Sequence, residues 1–195
     1  TGVPFDVAHK NSFDSAVLTA LNTNPTGTAT DNLADQRINW IRGEHTNELS
    51  AGTLRRRGSI MGDVINSGPV YKQGADPNLS GAGYLQFAQD VKDRPAMIYV
   101  GANDGMMHAF RADNGKELFA YIPRAVATAL NKLTHPSYVH RPYVDGVPQI
   151  GEVQVGTNWK TLLVSGMCGG AQGVFALDVT DPTNFGVGNV MFEFT

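Results

Sequence analysis

Apolar residues recur at two different spacings along this chain, and the change of spacing divides it. Up to about residue 50 they return every three or four positions. Phe13, Val17, Leu18 and Leu21 form one stripe behind a capping Ser12, and Ala34, Ile38 and Ile41 form a second that begins at Thr30 or Asp31 and stops at Gly43. Two helices are expected, joined by the polar cluster Asn22 to Thr28 and covering one end of a larger core.

After Gly58 the period shortens. Asp63 to Tyr71 is a short apolar run punctuated by Gly68 and Pro69, and Lys72 to Gly83 has the composition of a loop. Met97 to Ala102 and Met106 to Ala112 read as strands joined by Asn103-Asp104-Gly105, and Lys116 to Ile122 follows the turn Asp113-Asn114-Gly115. An Asp-Gly turn between apolar runs is expected to hold both central residues at positive φ, which makes the segment an antiparallel meander. Pro123 suits a first helical position, and Val126, Leu130 and Leu133 then predict one helix over 124–133. A second meander resumes with Val144, Ile150 to Val155, Trp159 to Val164, Gly173 to Val179 and Asn189 to Phe194.

The two meanders repeat each other. Met107-His108-Ala109-Phe110 matches Val174-Phe175-Ala176-Leu177 at a separation of 67 residues, and each is followed by an aromatic strand, Leu118 to Tyr121 or Met191 to Phe194. The inserted helix accounts for the excess over the roughly 40–45 residues of a four-stranded blade. The fold class expected is therefore mainly β: a partial β-propeller of about two antiparallel four-stranded blades over 51–195, with a helical lead-in over 1–50 and one inserted helix. A ring needs at least four blades, so the rest is expected beyond Thr195 or from elsewhere. The chain begins Thr1-Gly2-Val3-Pro4 and stops in a strand-like run, which reads as an internal fragment. Leu162, Val164, Phe175, Leu177, Met191 and Phe192 are expected on an outward blade face without its neighbour.

Composition narrows the chemistry. With 195 residues, 42% apolar and 17% charged, the chain can bury a core and is not expected to be disordered. A net charge of −3 gives no basic field for nucleic acid, and Arg55-Arg56-Arg57 is too short for a groove; it reads as a solvated face, with pairing to carboxylates of a neighbouring blade or domain as the alternative. No apolar run approaches the roughly 20 residues of a bilayer helix. A single cysteine, Cys168, permits no internal disulfide and no multi-cysteine zinc site. Gly101 to Gly105 lacks the Lys and Ser/Thr of a phosphate loop, the five histidines show no metal-ligand spacing, and there is no Gly-x-Ser-x-Gly elbow. His108 is expected to pack or hydrogen-bond within its blade. Asp178, Asp181 and Asn184 are spaced by three and form no alternating acidic calcium loop. No catalytic, cofactor-binding or metal-ligating residue is assigned.

Four ordered blocks carry a family resemblance: Arg57 to Tyr71, Tyr99 to Phe110, His140 to Pro148, and Gly173 to Pro182, with Asn39-Trp40-Ile41-Arg42-Gly43 in the lead-in. They resemble the start of the C-terminal propeller of the PilY-type type IV pilus proteins. That resemblance implies a modified seven-bladed, quinoprotein-like propeller in a non-enzymatic adhesin and pilus biogenesis factor, exported to the cell surface or pilus tip. It implies pilins, minor pilins and host or surface receptors as partners, with calcium held in a later blade. Arg111 stands where the blade motif commonly has Asp, and Cys168 lies in a turn the family tends to fill with Gly. The same blade motif occurs in quinone-dependent periplasmic dehydrogenases, the alternative reading. Those enzymes add vicinal cysteines and calcium-ligating acids, and Phe119 here replaces the Trp that packs between their blades.

Overall fold

The computed structural model describes residues 2–50 and 52–195; Thr1 and Ala51, where the two expected regions begin, lie outside the described residues. The lead-in holds two helices, α1 (Ser15–Leu21) and α2 (Ala34–Ile41). Asp14 rather than Ser12 caps α1, its Oδ1 accepting from the Ala16 amide at 2.9 Å, while Ser12 closes a short 3-10 turn over Lys10–Ser12. A carboxylate next to the first turn outcompetes a hydroxyl two residues earlier. Helix α2 starts later than the pattern suggests because side chains take its first donors. Asp31 accepts from the Leu33 amide at 3.2 Å, and Asn22 accepts from the Ala34 amide at 3.1 Å. Gly43, at φ +111°, ends it as expected.

The β region forms two four-stranded antiparallel sheets. The first is β1 (Val70–Lys72), β2 (Met97–Gly101), β3 (Met107–Arg111) and β4 (Glu117–Tyr121), in that order. The second is β5 (Gln149–Val155), β6 (Asn158–Gly166), β7 (Val174–Asp178) and β8 (Val190–Phe194). Strand β1, which completes the first meander, is the tail of the apolar run before residue 72 and pairs Tyr71 with Ile98. Val144 belongs to no strand; it packs in the core and donates its amide to the Ala102 carbonyl at 3.3 Å.

One element is unexpected, and two local expectations change. The residues between β1 and β2 contain a helix, α3 (Tyr84–Asp90), whose Tyr84 and Phe87 form, with Val91 just after it, a separate small cluster against Trp159. The helix expected over 124–133 is two single turns, α4 (Arg124–Ala127) and α5 (Leu130–Leu133), broken at Thr128-Ala129. Both still bury Val126, Leu130 and Leu133, so the apolar spacing survives the break. The turn at Asn103-Asp104-Gly105 puts only Gly105 at positive φ, +98°. Asp104 keeps an ordinary backbone because its side chain is captured from three sides, by the amides of Gly62 and Met106 and by His108.

One core runs through helices and sheets alike. Val17, Leu21, Ile38, Trp40 and Ile41 of the lead-in join Met97, Tyr99, Met107 and Ala109 of the first sheet, Leu130 and Leu133 of the insert, and Leu163, Phe175 and Leu177 of the second sheet. The arginines near residue 56 fasten this joint instead of lying on a solvated face. Arg57 stacks 3.8 Å over Trp40 and pairs with Glu48 at 2.8 Å, while Arg55 lies 4.5 Å over Tyr138 and donates to the Leu133 carbonyl at 2.7 Å. Arg56, between them, is exposed.

Candidate binding platform

Register decides which side chains each sheet presents to the other. In the first sheet Tyr99, Ala109 and Phe119 share a face with Met107 and Tyr121, since directly opposed residues point the same way. In the second, Thr161, Leu163 and Ser165 share a face with Phe175, Leu177 and Val179. These two faces meet. Tyr121 packs 5.1 Å from Phe175, and its hydroxyl donates to Glu193 at 2.8 Å. The other oxygen of Glu193 accepts from the Ala125 amide at 3.1 Å, so one carboxylate ties both sheets and the insert. Burial first, and then the Glu193 charge, push the Tyr121 phenol far above its ordinary value, so it remains a donor. Phe119 stacks on Phe185 at 3.7 Å with an interplanar angle of 4°, the between-blade role read for it from the sequence.

A second tie lies at β1 and β5. Glu152 has a fully buried side chain; it accepts from the Tyr84 hydroxyl at 2.6 Å and the Asp76 amide at 2.8 Å, and faces Lys72 Nζ at 2.7 Å. Burial works against its charge, but Lys72 and the two donors hold the carboxyl below the usual range. Tyr84 is pushed up to about 12 by burial and by that carboxylate. Arg94 completes the cluster, donating to Thr161 Oγ1 at 2.7 Å and to the Gly74 carbonyl at 3.1 Å.

The face of the first sheet turned away from the second carries His108. Its Nδ1 lies 2.5 Å from Glu117 Oε1, and its Nε2 lies 3.1 Å from both oxygens of Asp104. Carboxylates only accept, so an imidazole bracketed on both nitrogens carries both protons. Burial opposes that charge, yet the two acids raise the group to about 9. The histidine therefore hydrogen-bonds within its blade, as expected.

The outward face of the second sheet differs from the expectation in part. Leu162, Val164 and Phe192 lie on it, joined by Val174, Ala176 and Phe194. Phe175 and Leu177 do not: both are fully buried against the first sheet, because alternation along β7 sends them to the other side. Phe194 is 66% exposed and sits 5.1 Å from Phe192.

Two loops carry further exposed apolar residues that the sequence pattern does not mark. Val64 and Ile65 precede β1, and Val139 and Val147 precede β5; all four are exposed. Hydrogen bonds join the two loops. Asp145 accepts from the Asn66 amide at 3.0 Å and its Nδ2 at 2.6 Å, and His140 Nε2 meets Asp63 Oδ2 at 2.8 Å. Close backbone approach also fixes the second loop: a Cβ at Gly146 would lie 2.0 Å from the Gly166 carbonyl oxygen, and one at Gly170 would lie 1.7 Å from that of Tyr143. Cys168, in the same turn, takes a left-handed φ of +46°, the conformation that favours Gly there. No single sequence motif marks these residues, because they come from two segments about 75 positions apart.

The described residues place no three His, Cys, Asp or Glu side chains together as a metal site. Asp178, the first residue of the Asp178 to Asn184 segment, pairs with Lys160 at 2.5 Å and accepts from Thr180. Burial raises that carboxyl, but Lys160 and Thr180 lower it by more. No helix is long and apolar enough to cross a membrane among the described residues.

Two successive antiparallel four-stranded sheets, stacked face to face through an aromatic seam, define a pair of propeller blades. The PilY1 beta-propeller domain matches residues 61–193, and the chain belongs to that family. It is 42% identical over 168 residues to a type IV pilus biogenesis factor PilY1 homolog of Xylella fastidiosa strain Temecula1, covering 80% of this chain and 14% of that protein. It is 42% identical over 164 residues to the type IV pilus biogenesis factor PilY1 of Pseudomonas aeruginosa strain PAK, covering 79% of this chain and 14% of that protein. The crystal structure of the Pseudomonas aeruginosa PilY1 C-terminal domain is similar at 36% identity and a TM-score of 0.48, over 62% of this chain and 24% of that one. The chain thus spans about one seventh of the length of these relatives.

Proposed function

We propose that this chain forms the opening blades of a propeller that acts without catalysis as a rigid platform in type IV pilus biogenesis and adhesion. In this reading residues 1–50 cover one end of the propeller. The outward face of Leu162, Val164, Phe192 and Phe194 receives the next blade, and calcium is held in a later one. Pilins, minor pilins or surface receptors dock on the loops, outside the cell. Family membership supports the pilus assignment. The observation that carries the platform reading is the exposed quartet Val64, Ile65, Val139 and Val147 on two loops locked together by Asp63, Asn66, His140 and Asp145. Exposed apolar side chains on hydrogen-bonded loops suit a contact surface.

The test is Ile65→Asp with Val139→Asp in the full-length protein. The expected result is unchanged export and melting with reduced surface piliation or adhesion. Unchanged piliation and adhesion would overturn the platform reading. Dye reduction with alcohols after loading pyrroloquinoline quinone and calcium would, if well above a no-protein control, favour the dehydrogenase alternative.

A further inference from the structure

The turn between β3 and β4 holds the single Asn-Gly step in the sequence, Asn114-Gly115, and both residues are exposed. We propose that Asn114 is a site of spontaneous deamidation, restrained by the folded turn, and that its isoaspartate product loosens the seam between the blades. The reaction needs no catalyst and only water as co-reactant. The Gly115 backbone nitrogen attacks Asn114 Cγ, a new C–N bond forms, and the bond from Cγ to the side-chain nitrogen breaks. Ammonia leaves with the proton that the Gly115 amide gives up. Water then opens the cyclic imide. Addition at Cγ gives Asp in an ordinary chain; addition at the main-chain carbonyl gives isoaspartate, with an extra methylene in the backbone. Glycine favours the step because it puts no side chain beside the attacking nitrogen, and a Cβ at Gly115 would meet nothing within 4 Å.

The fold holds both reacting groups. The Gly115 amide donates to the Arg111 carbonyl at 2.9 Å, and Asn114 Oδ1 accepts from the Lys116 amide at 2.9 Å. Attack therefore requires the turn to open first. The two products then differ. Asp keeps the oxygen that accepts from Lys116, so the turn survives. Isoaspartate lengthens a connection that is closed by the Arg111 amide and Lys116 carbonyl at 2.8 Å. The strand it leads into, β4, carries Phe119 and Tyr121, which cross to Phe185, Phe175 and Glu193.

The experiment incubates the intact protein at mildly alkaline pH, folded and in urea, and follows the tryptic peptide Ala112 to Lys116 by mass and by isoaspartyl methylation. Acid and isoaspartyl forms should accumulate there, about tenfold more slowly in the folded protein, which corresponds to about 1.4 kcal/mol of turn opening. Fractions enriched in isoaspartate should melt lower than unconverted protein, whereas Asn114→Asp prepared fresh should melt as the parent does, and Asn114→Gln should block both conversion and the loss. Absence of conversion at Asn114 would overturn the site. Equal rates in the folded and urea-treated protein would overturn the restraint, and equal melting of the isoaspartyl fraction would overturn the link to the seam.

Discussion

His108 and Glu152 are buried charges of opposite sign, and each is stable only through its partners. The His108 ring between Asp104 and Glu117 is raised to about 9 from an unfolded value near 6.5. A raised folded value contributes stability that is fully present below about pH 6.5 and is lost as the pH climbs through about 9. With the half-exposed Glu117 discounted for screening, the contribution is roughly 2 kcal/mol. Chemical denaturation at pH 6.5 and 9.5 should show that loss in the parent, and His108→Gln should flatten it; a parent as stable at the higher pH would show that the ring is not doubly protonated. For Glu152→Gln the expected cost is about 3 kcal/mol, because Lys72 and Arg94 are then left buried without their counter-charge. Denaturant midpoints of the two proteins measure it directly, and a difference under about 1 kcal/mol would mean that water reaches the cluster.

Strands are legible from the sequence where one side chain in two is apolar, and less so where pairing does the work. The seven strands from β2 to β8 follow alternation and turn chemistry closely enough to be read by eye, but β1 has only three residues and owes its existence to β2. Helix α3 escaped because its seven residues bury only Tyr84 and Phe87, too few to set a period. At the seam, Phe175 is fully buried between β7 and Tyr121, and Phe175→Ala should cost about 3–5 kcal/mol. Phe192→Ala, on the outward face, should cost far less in the isolated chain and much more in the full-length protein. Melting both variants in both contexts checks the assignment of faces; equal costs for Phe192→Ala in the two contexts would mean that no blade covers it.

On the scale of the whole molecule, the lead-in and inserted helices and both sheets share one core, yet the sheet ending in β8 shows water Leu162, Val164, Phe192 and Phe194. Apolar faces of this kind favour association. Residues 1–195 expressed alone should therefore self-associate or bind another chain, whereas the full-length protein should not do so through this face. Light scattering of a dilute sample is the measurement, and a cooperatively melting monomer would show that the two blades suffice for themselves.

Apolar spacing, turn residues and the internal repeat were enough to establish two meanders, a helical lead-in and the family likeness, since those depend on neighbours within a few residues or on matching a known order. The sequence could not say that Phe175 and Leu177 face inward, that Arg55 and Arg57 clasp Trp40, Tyr138 and Glu48, or that the loops carrying Val64, Ile65, Val139 and Val147 are hydrogen-bonded to each other. Those facts rest on which sheet face meets which, and on loops about 75 residues apart being drawn together by Asp63 and Asp145. Local periodicity carries no information about either; only the packing of one sheet on the other decides them.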